Sequence, residues 1–249
     1  MSSELRRAAD QLRRASRVTV LTGAGVSAAS GVPTFRGADG LWSNFRVEEL
    51  ATPEAFARDP RLVWEWYEWR RHLVAACRPN RAHHVLAAWS RLYPRFTLIT
   101  QNVDGLHERA GTRNAVQFHG SLWDLRCAES CAGSPERWRD ETVPFPSLPP
   151  CCPHCGGLAR PGVVWFGEPI EPAVMERAVA GLECDVCVVV GTSAVVYPAA
   201  GLADEAQRRG AFTIETNPEP TEATRRFDLA IVGRAEEVLE KLQIGDRLI

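Results

Sequence analysis

Five short apolar runs stop abruptly at glycine or polar residues, and this limits the possible folds more than any other feature of the chain. They are residues 18–21 before Gly23-Ala24-Gly25, residues 96–100 before Gln101, CDVCVVVG closing at Gly191, FTIE closing at Glu215 and LAIVG closing at Gly233. Each has strand length and little polar alternation, as expected of a strand buried on both faces. Helical patterns lie between them, as in LADEAQRRG at 202–210. Leu5, Ala8, Leu12 and Ala15 recur at helical spacing and predict an amphipathic first helix. Apolar strands alternating with helices imply an α/β fold, a doubly wound, mostly parallel, Rossmann-like sheet covered on both faces.

Two segments interrupt this pattern. Residues from about 126 to 160 are rich in Cys, Pro and Gly, and residues from about 53 to 76 read as helix. We therefore expect one domain over 1–249. Its large part takes about 1–50, 80–125 and 160–249, and its small part comes from inserts at about 51–79 and 126–160. A chain of 249 residues with 45% hydrophobic content suits that arrangement. A net charge of -2 argues against a general nucleic-acid partner. No apolar run approaches membrane-spanning length, and MSSELRRAADQLRRA lacks the apolar core of a secretory signal. A cytoplasmic monomer with no membrane partner is expected.

Eight cysteines divide by context. Cys127 and Cys131 form one short pair, and Cys152 and Cys155 form a second inside the knuckle CPHCGG. Four thiolates leave no position for water, which predicts a closed, structural zinc site. Free thiols or an iron–sulfur cluster are the competing readings, and His154 is a possible substitute ligand. Cys77, Cys184 and Cys187 sit among apolar residues and read as small core side chains. Cys151, beside the second pair, is ambiguous.

The strand ends carry the candidate chemistry. In a parallel sheet the carboxyl ends of the strands form the ligand crevice. Gly23-Ala24-Gly25 would place backbone N–H groups at a pyrophosphate, although a third glycine is missing where the dinucleotide fingerprint wants one. Gln101, Asn102 and Asp104 suit an amide and a ribose. Thr192 and Ser193 after Gly191 suit phosphate or ribose oxygens, and Asn217 suits a sugar hydroxyl. His119, in QFHG, carries the side chain best matched to proton transfer near neutral pH; a hydrogen-bonded structural histidine is the plainer reading. His107 could orient the Asp104 loop.

These stretches together resemble a known family. GAGVSAASGVPTFRG, TQNVDGLHERAG, QFHG, the four cysteines, RPGVVWFGE and GTSAVVYPAA run in order along nearly the whole chain and are similar to those of the sirtuins, the NAD-dependent protein-lysine deacylases. The resemblance implies a cleft between the two parts that takes NAD and an acyl-lysine peptide. Gly23, Ala24, Gly25, Phe35 and Arg36 would belong to the NAD loop. Gln101, Asn102 and Asp104 would surround the nicotinamide and its ribose, with Asn102 and Asp104 joining His119, the base, in catalysis. Gly191, Thr192 and Ser193 would hold the phosphate and adenosine-ribose side, with Asn217 and Ala235 near the adenosine. The peptide would lie as a strand between Val163-Val164-Trp165-Phe166-Gly167-Glu168 and Val195-Val196-Tyr197. Ala29 and Thr34 depart from residues common in the family.

The reaction so implied is an exchange. The acyl oxygen displaces nicotinamide from the ribose, His119 takes a ribose proton, and water releases lysine and O-acyl-ADP-ribose. A sirtuin-like ADP-ribosyltransferase, a non-catalytic NAD sensor and an ordinary NAD oxidoreductase are the competing functions, separated by their products.

WEWYEWRR, from Trp64 to Arg71, places Tyr67 and Arg70 on one helical face. Sirtuins that remove acidic acyl groups, desuccinylases, demalonylases and bacterial members that also deacetylate, carry a Tyr-x-x-Arg at this point. The resemblance implies that Tyr67 and Arg70 receive the carboxylate of succinyl- or malonyl-lysine, and that Ala51 leaves room for the longer chain. The plainer reading is a packed helix with a solvated arginine. Trp64, Trp66 and Trp69 are expected to pack.

Overall fold

A computed structural model describes residues 2–34, 46–193 and 195–242. Phe35 and Arg36 therefore lie outside the described residues. The first helix, α1 (Ser3–Arg14), starts where Ser2 caps the Leu5 N–H, and it buries Leu5, Ala8 and Leu12 as the spacing predicts. Strand β1 (Arg17–Thr22) follows. Two single 3-10 turns, Ala24–Val26 and Ala28–Ser30, then carry the chain away from the sheet.

The remaining helices are α2 (Val47–Leu50), α3 (Pro53–Arg58), α4 (Pro60–Ala76), α5 (Arg81–Leu92), α6 (Leu106–Arg109), α7 (Pro172–Gly181), α8 (Gly201–Arg208) and α9 (Ala235–Lys241). The strands are β2 (Arg95–Thr100), β3 (Ala115–Gln117), β4 (Gly120–Cys127), β5 (Trp138–Arg139), β6 (Ala159–Val163), β7 (Val186–Val190), β8 (Phe212–Asn217) and β9 (Leu229–Val232).

The large sheet has six strands in the order β3-β2-β1-β7-β8-β9, and every neighbouring pair is parallel. From β1 the chain builds outward to β3; it then returns beside β1 with β7 and builds the other way. The two halves meet at β1 and β7, so their carboxyl ends flank a crevice at the topological switch point. Residues of β7 show why these strands read as unbroken apolar runs. Val186, Val188 and Val190 face a core shared with α1, α5 and α9. Cys187 and Val189 face a second core, shared with α7 and α8. Cys77, Cys184 and Cys187 are all buried, as expected from their apolar surroundings.

The second sheet is small and antiparallel, in the order β5-β4-β6. It extends past the cysteine-rich segment on both sides, from Gly120 to Val163. Helix α4 covers it. Asp59 caps α4 by accepting from the Leu62 N–H at 3.0 Å, and Pro60 opens the first turn. The Asp59-Pro60 step divides the expected helix into α3 and α4, because proline has no N–H to continue the ladder. Val63, Trp64, Trp66, Tyr67 and Val74 pack on Leu122, Trp123 and Leu125 of β4. Trp69 does not share that core; it is 41% exposed. Arg71, next to the candidate Arg70, is 1% exposed and donates to the carbonyls of Leu122, Asp140 and Thr142. It ties the helix to the small sheet.

Candidate active site

The carboxyl ends of β1 and β7 touch backbone to backbone. The Gly23 N–H donates to Val190 O at 3.1 Å, and the Gly25 N–H donates to Gly191 O at 2.8 Å. A Cβ on Gly25 would stand 2.8 Å from the Gly191 Cα, and one on Gly191, whose φ is +61°, would stand 2.6 Å from the Val26 nitrogen. The glycines are there because no side chain fits between the two loops. The surface they leave is a backbone cradle of the kind that admits phosphate.

From this cradle a cavity of about 840 Å³ runs between the large sheet and the small part of the molecule. At one end it is lined by Asn217, Arg234, Ala235 and Glu236. Gly23, Ala24, Gly25, Gly191, Thr192 and Ser193 line it beside the cradle. Gln101, Asn102 and His119, and Ala51, Tyr67 and Arg70, line the same cavity. Val164, Trp165, Phe166, Gly167, Glu168, Val196 and Tyr197 also line it. Val195 is 41% exposed and outside the lining.

Asp104 departs from the expected arrangement. It is 4% exposed and does not line the cavity. Its carboxylate accepts from Ser27 Oγ at 2.7 Å and from the Leu106 N–H at 2.8 Å, while its carbonyl accepts from the Trp123 indole. Burial raises its pKa, and the Leu106 and Ser27 donors work against that rise. Asn102 donates through Nδ2 to Gly23 O at 3.0 Å and to Ser27 Oγ at 3.2 Å. With both amide protons engaged inward, its Oδ1 is the remaining polar atom. Asp104 therefore acts behind Asn102, through Ser27.

His119 lies just before β4. Its Nδ1 is 3.2 Å from Gln101 O. A carbonyl can only accept, so Nδ1 carries the proton and Nε2 keeps a lone pair. Burial lowers the His119 pKa and the Gln101 carbonyl partly offsets this, so the ring is held in its neutral, basic form. Gln101 itself donates to Thr192 Oγ1 at 3.0 Å, bridging the ends of β2 and β7 across β1.

The helical end of the cavity is lined by aromatic rings. Tyr67 and Arg70 are 2% and 8% exposed. The Arg70 guanidinium lies 4.8 Å from the Trp66 ring centroid and 5.7 Å from that of Tyr67. Burial pushes the Tyr67 phenol up and lowers Arg70, whose charge Tyr67 and Asp104 favour. Phe166 donates its N–H to Ala51 O at 3.0 Å, and Val164 donates to His119 O at 2.9 Å. These two bonds fasten the segment after β6 to Ala51 and to His119.

The four expected cysteines converge away from this cavity. Their sulfur atoms all lie within 4.8 Å of one another, with Cys127 and Cys155 at 3.7 Å and Cys131 and Cys152 at 3.9 Å. Sulfurs at about 2.3 Å from a central zinc stand about 3.8 Å apart in a tetrahedron. The donor set therefore fits structural zinc. Gly156, with φ +75°, turns the knuckle and returns its N–H to Cys152 O. Cys151 is exposed and outside the cluster.

Ser27 and His83 were not legible as site residues. His83, in helix α5, has its Nε2 3.4 Å from Ser27 Oγ while its Nδ1 accepts from the Asn80 N–H. The readable signal was the Asn80–His83 spacing of a capping box. His107 does not bond Asp104; its Nε2 is 3.0 Å from Thr22 Oγ1.

Residues 23–198 match the Sir2 family. An NAD-dependent protein deacylase of Aquifex aeolicus (strain VF5) is 52% identical over 226 residues, which is 90% of this chain and 93% of the relative. Among solved structures, a mutant Sir2 homologue complexed with ADP-ribose superposes with a TM-score of 0.91 at 47% identity, covering 97% of this chain and 95% of that one. A Sir2 homologue complexed with NAD gives 0.88 at 48% identity, covering 95% and 91%.

Proposed function

Because this chain belongs to the Sir2 family and is an NAD-dependent protein deacylase, we propose that it prefers lysine side chains carrying acidic acyl groups, succinyl and malonyl, and turns over acetyl-lysine less well. The observation that carries this reading is the placing of Tyr67 and Arg70, both buried, in the cavity that also holds His119, with the small Ala51 beside them. A guanidinium resting against the Trp66 and Tyr67 rings offers a planar, charged fork for a carboxylate. A charge-assisted hydrogen bond contributes roughly 1.5–3 kcal/mol, so the preference is large without being absolute.

The other residues divide the remaining work. NAD, seated at the glycine cradle, supplies a ribose carbon whose leaving group is nicotinamide. Gly23, Gly25 and Gly191 admit the phosphates, and Thr192, Ser193, Asn217 and Ala235 line the path to the adenosine end. Asn102, held by Gly23 and Ser27, would offer its Oδ1 to the ribose. His119 accepts a ribose hydroxyl proton at Nε2, because Nδ1 is committed to Gln101. Cys127, Cys131, Cys152 and Cys155 would hold a zinc ion that keeps the small sheet in shape, a closed site with no position for water.

The test is a comparison of kcat/KM on one peptide carrying either succinyl-lysine or acetyl-lysine, followed by mass spectrometry with NAD present. A succinyl preference with O-acyl-ADP-ribose as product supports the reading. Equal or acetyl-favoured turnover would remove the acidic preference and leave the deacylase.

A further inference from the structure

The Trp165 indole reaches from the end of β6 to helix α4, where its Nε1–H donates to the Tyr67 hydroxyl at 2.9 Å. Both side chains are buried. Among the described residues this is the one hydrogen bond of that hydroxyl. A phenol has one proton and accepts through its oxygen, whereas an indole N–H can only donate. With its acceptor side taken by Trp165, Tyr67 has its own proton left to give.

Neither ring is placed loosely. Trp165 gives its backbone N–H to Glu168 Oε2 at 2.8 Å. Arg160 pairs with that carboxylate at 2.6 and 2.9 Å, and its guanidinium lies 3.5 Å from the Trp165 ring centroid. Phe56 packs on the same indole at 5.3 Å. Trp66 meets the Tyr67 ring edge-on at 4.8 Å. Burial keeps the phenol protonated.

We propose that Trp165 is a positioning residue for acyl selectivity: its indole N–H occupies the acceptor side of the Tyr67 hydroxyl, so that Tyr67 meets the acyl tail as a donor. A carboxylate tail, which only accepts, matches a donor; a tail ending in a donor does not. A hydroxyl that accepts one hydrogen bond also becomes a stronger donor in the next. The inference rests on the reading that Tyr67 and Arg70 receive a carboxylate. It adds Trp165 to Tyr67, Arg70 and Ala51, acting from the opposite element and through Tyr67.

Trp165→Phe keeps an aromatic plate under Arg160 and removes the N–H. The parent, Trp165→Phe, Tyr67→Phe and the double variant are compared for kcat/KM on succinyl-lysine and acetyl-lysine versions of one peptide. Loss of one neutral hydrogen bond to the aligning group predicts a succinyl-to-acetyl ratio about five- to tenfold lower in Trp165→Phe, seen mainly in KM. In the Tyr67→Phe background the same change leaves the ratio where it was. Should Trp165→Phe lose its fold by circular dichroism, benzothienylalanine at position 165 removes the N–H with the ring shape kept. An unmoved ratio, an equal loss on both acyl groups, or an undiminished effect in the Tyr67→Phe background would overturn the proposal. A parent with no succinyl preference overturns it together with the carboxylate reading. A parent preference that position 165 does not move overturns the proposal alone.

Discussion

Ser27 Oγ donates to Asp104 Oδ2 at 2.7 Å, and that one contact places the carboxylate outside the cavity it was expected to line. The same hydroxyl oxygen accepts from Asn102 Nδ2 at 3.2 Å. Ser27→Ala leaves a buried carboxylate short of a donor and Asn102 short of an anchor. The expected cost is about 1–3 kcal/mol of stability, read by urea unfolding, together with a fall in kcat on any acyl-lysine peptide. A variant with parental turnover would show that Asn102 is held without Ser27.

His119 should give the acid limb of the rate profile an unusually low midpoint. Burial lowers its pKa from the ordinary value of about 6.5, and a base works only when unprotonated. The expected kcat/KM therefore stays level from pH 8 to 7 and declines only below pH 6.5 as the ring takes a proton. His119→Ala should lose roughly 10²–10⁴-fold in turnover while keeping its zinc. Metal analysis beside the rate assay separates that result from misfolding.

Arg70→Met removes the charged fork and retains bulk. Losing a contact of roughly 1.5–3 kcal/mol corresponds to a fall of about 10- to 150-fold in kcat/KM for succinyl-lysine. Acetyl-lysine, which has no carboxylate to lose, should be affected far less. The ratio of the two, measured on one peptide, checks the assignment.

Metal removal should act on the small sheet first. Cys131→Ala, or prolonged chelation, is expected to release one zinc per chain and abolish most turnover. Cys127 ends β4 and pairs with Ala159 of β6, while Gly120, at the other end of β4, follows His119 directly. Zinc content and activity followed together in a chelation time course should fall in step.

His83 and His107 should make the protein sensitive to mild acid. Burial lowers His83 to about 4 and holds His107 well below its ordinary value, their ring centroids being 4.8 Å apart. Unfolded histidines take protons near pH 6.5, so between about pH 6.5 and 4 the unfolded chain binds more protons than the folded one. Stability is complete above that window and declines as the pH falls through it, by up to about 1.4 kcal/mol per pH unit for each group. Urea midpoints at pH 7.5, 6 and 5 measure the slope, and His83→Gln should reduce it.

The large sheet was legible because burial on both faces leaves continuous apolar strands, as in Val186–Val190. The cysteine cluster was legible because metal ligation constrains residue type and spacing. The Ser27–Asp104 contact was not, since residues 77 positions apart in sequence leave no local pattern, and a serine after a glycine turn looks like any turn serine. Trp165 and Tyr67, 98 positions apart, were each noticed for their own stretch and not for each other. That Trp69 is 41% exposed while Trp64 and Trp66 are buried was not legible, because a helix this rich in aromatic residues has rings on more than one face and periodicity alone does not rank them.

The close approach of Gly23, Gly25 and Gly191 has a consequence for how such a protein can change over time. At that end the ligand surface is peptide backbone, and any added side chain collides with the neighbouring loop. Mutation there can only break the cradle, so the nucleotide it accepts is effectively frozen. At the other end Ala51, Tyr67 and Arg70 are side chains on inserted elements, replaceable one at a time without disturbing the large sheet. Drift in the gene can retune which modification is erased while the means of erasing it is inherited intact.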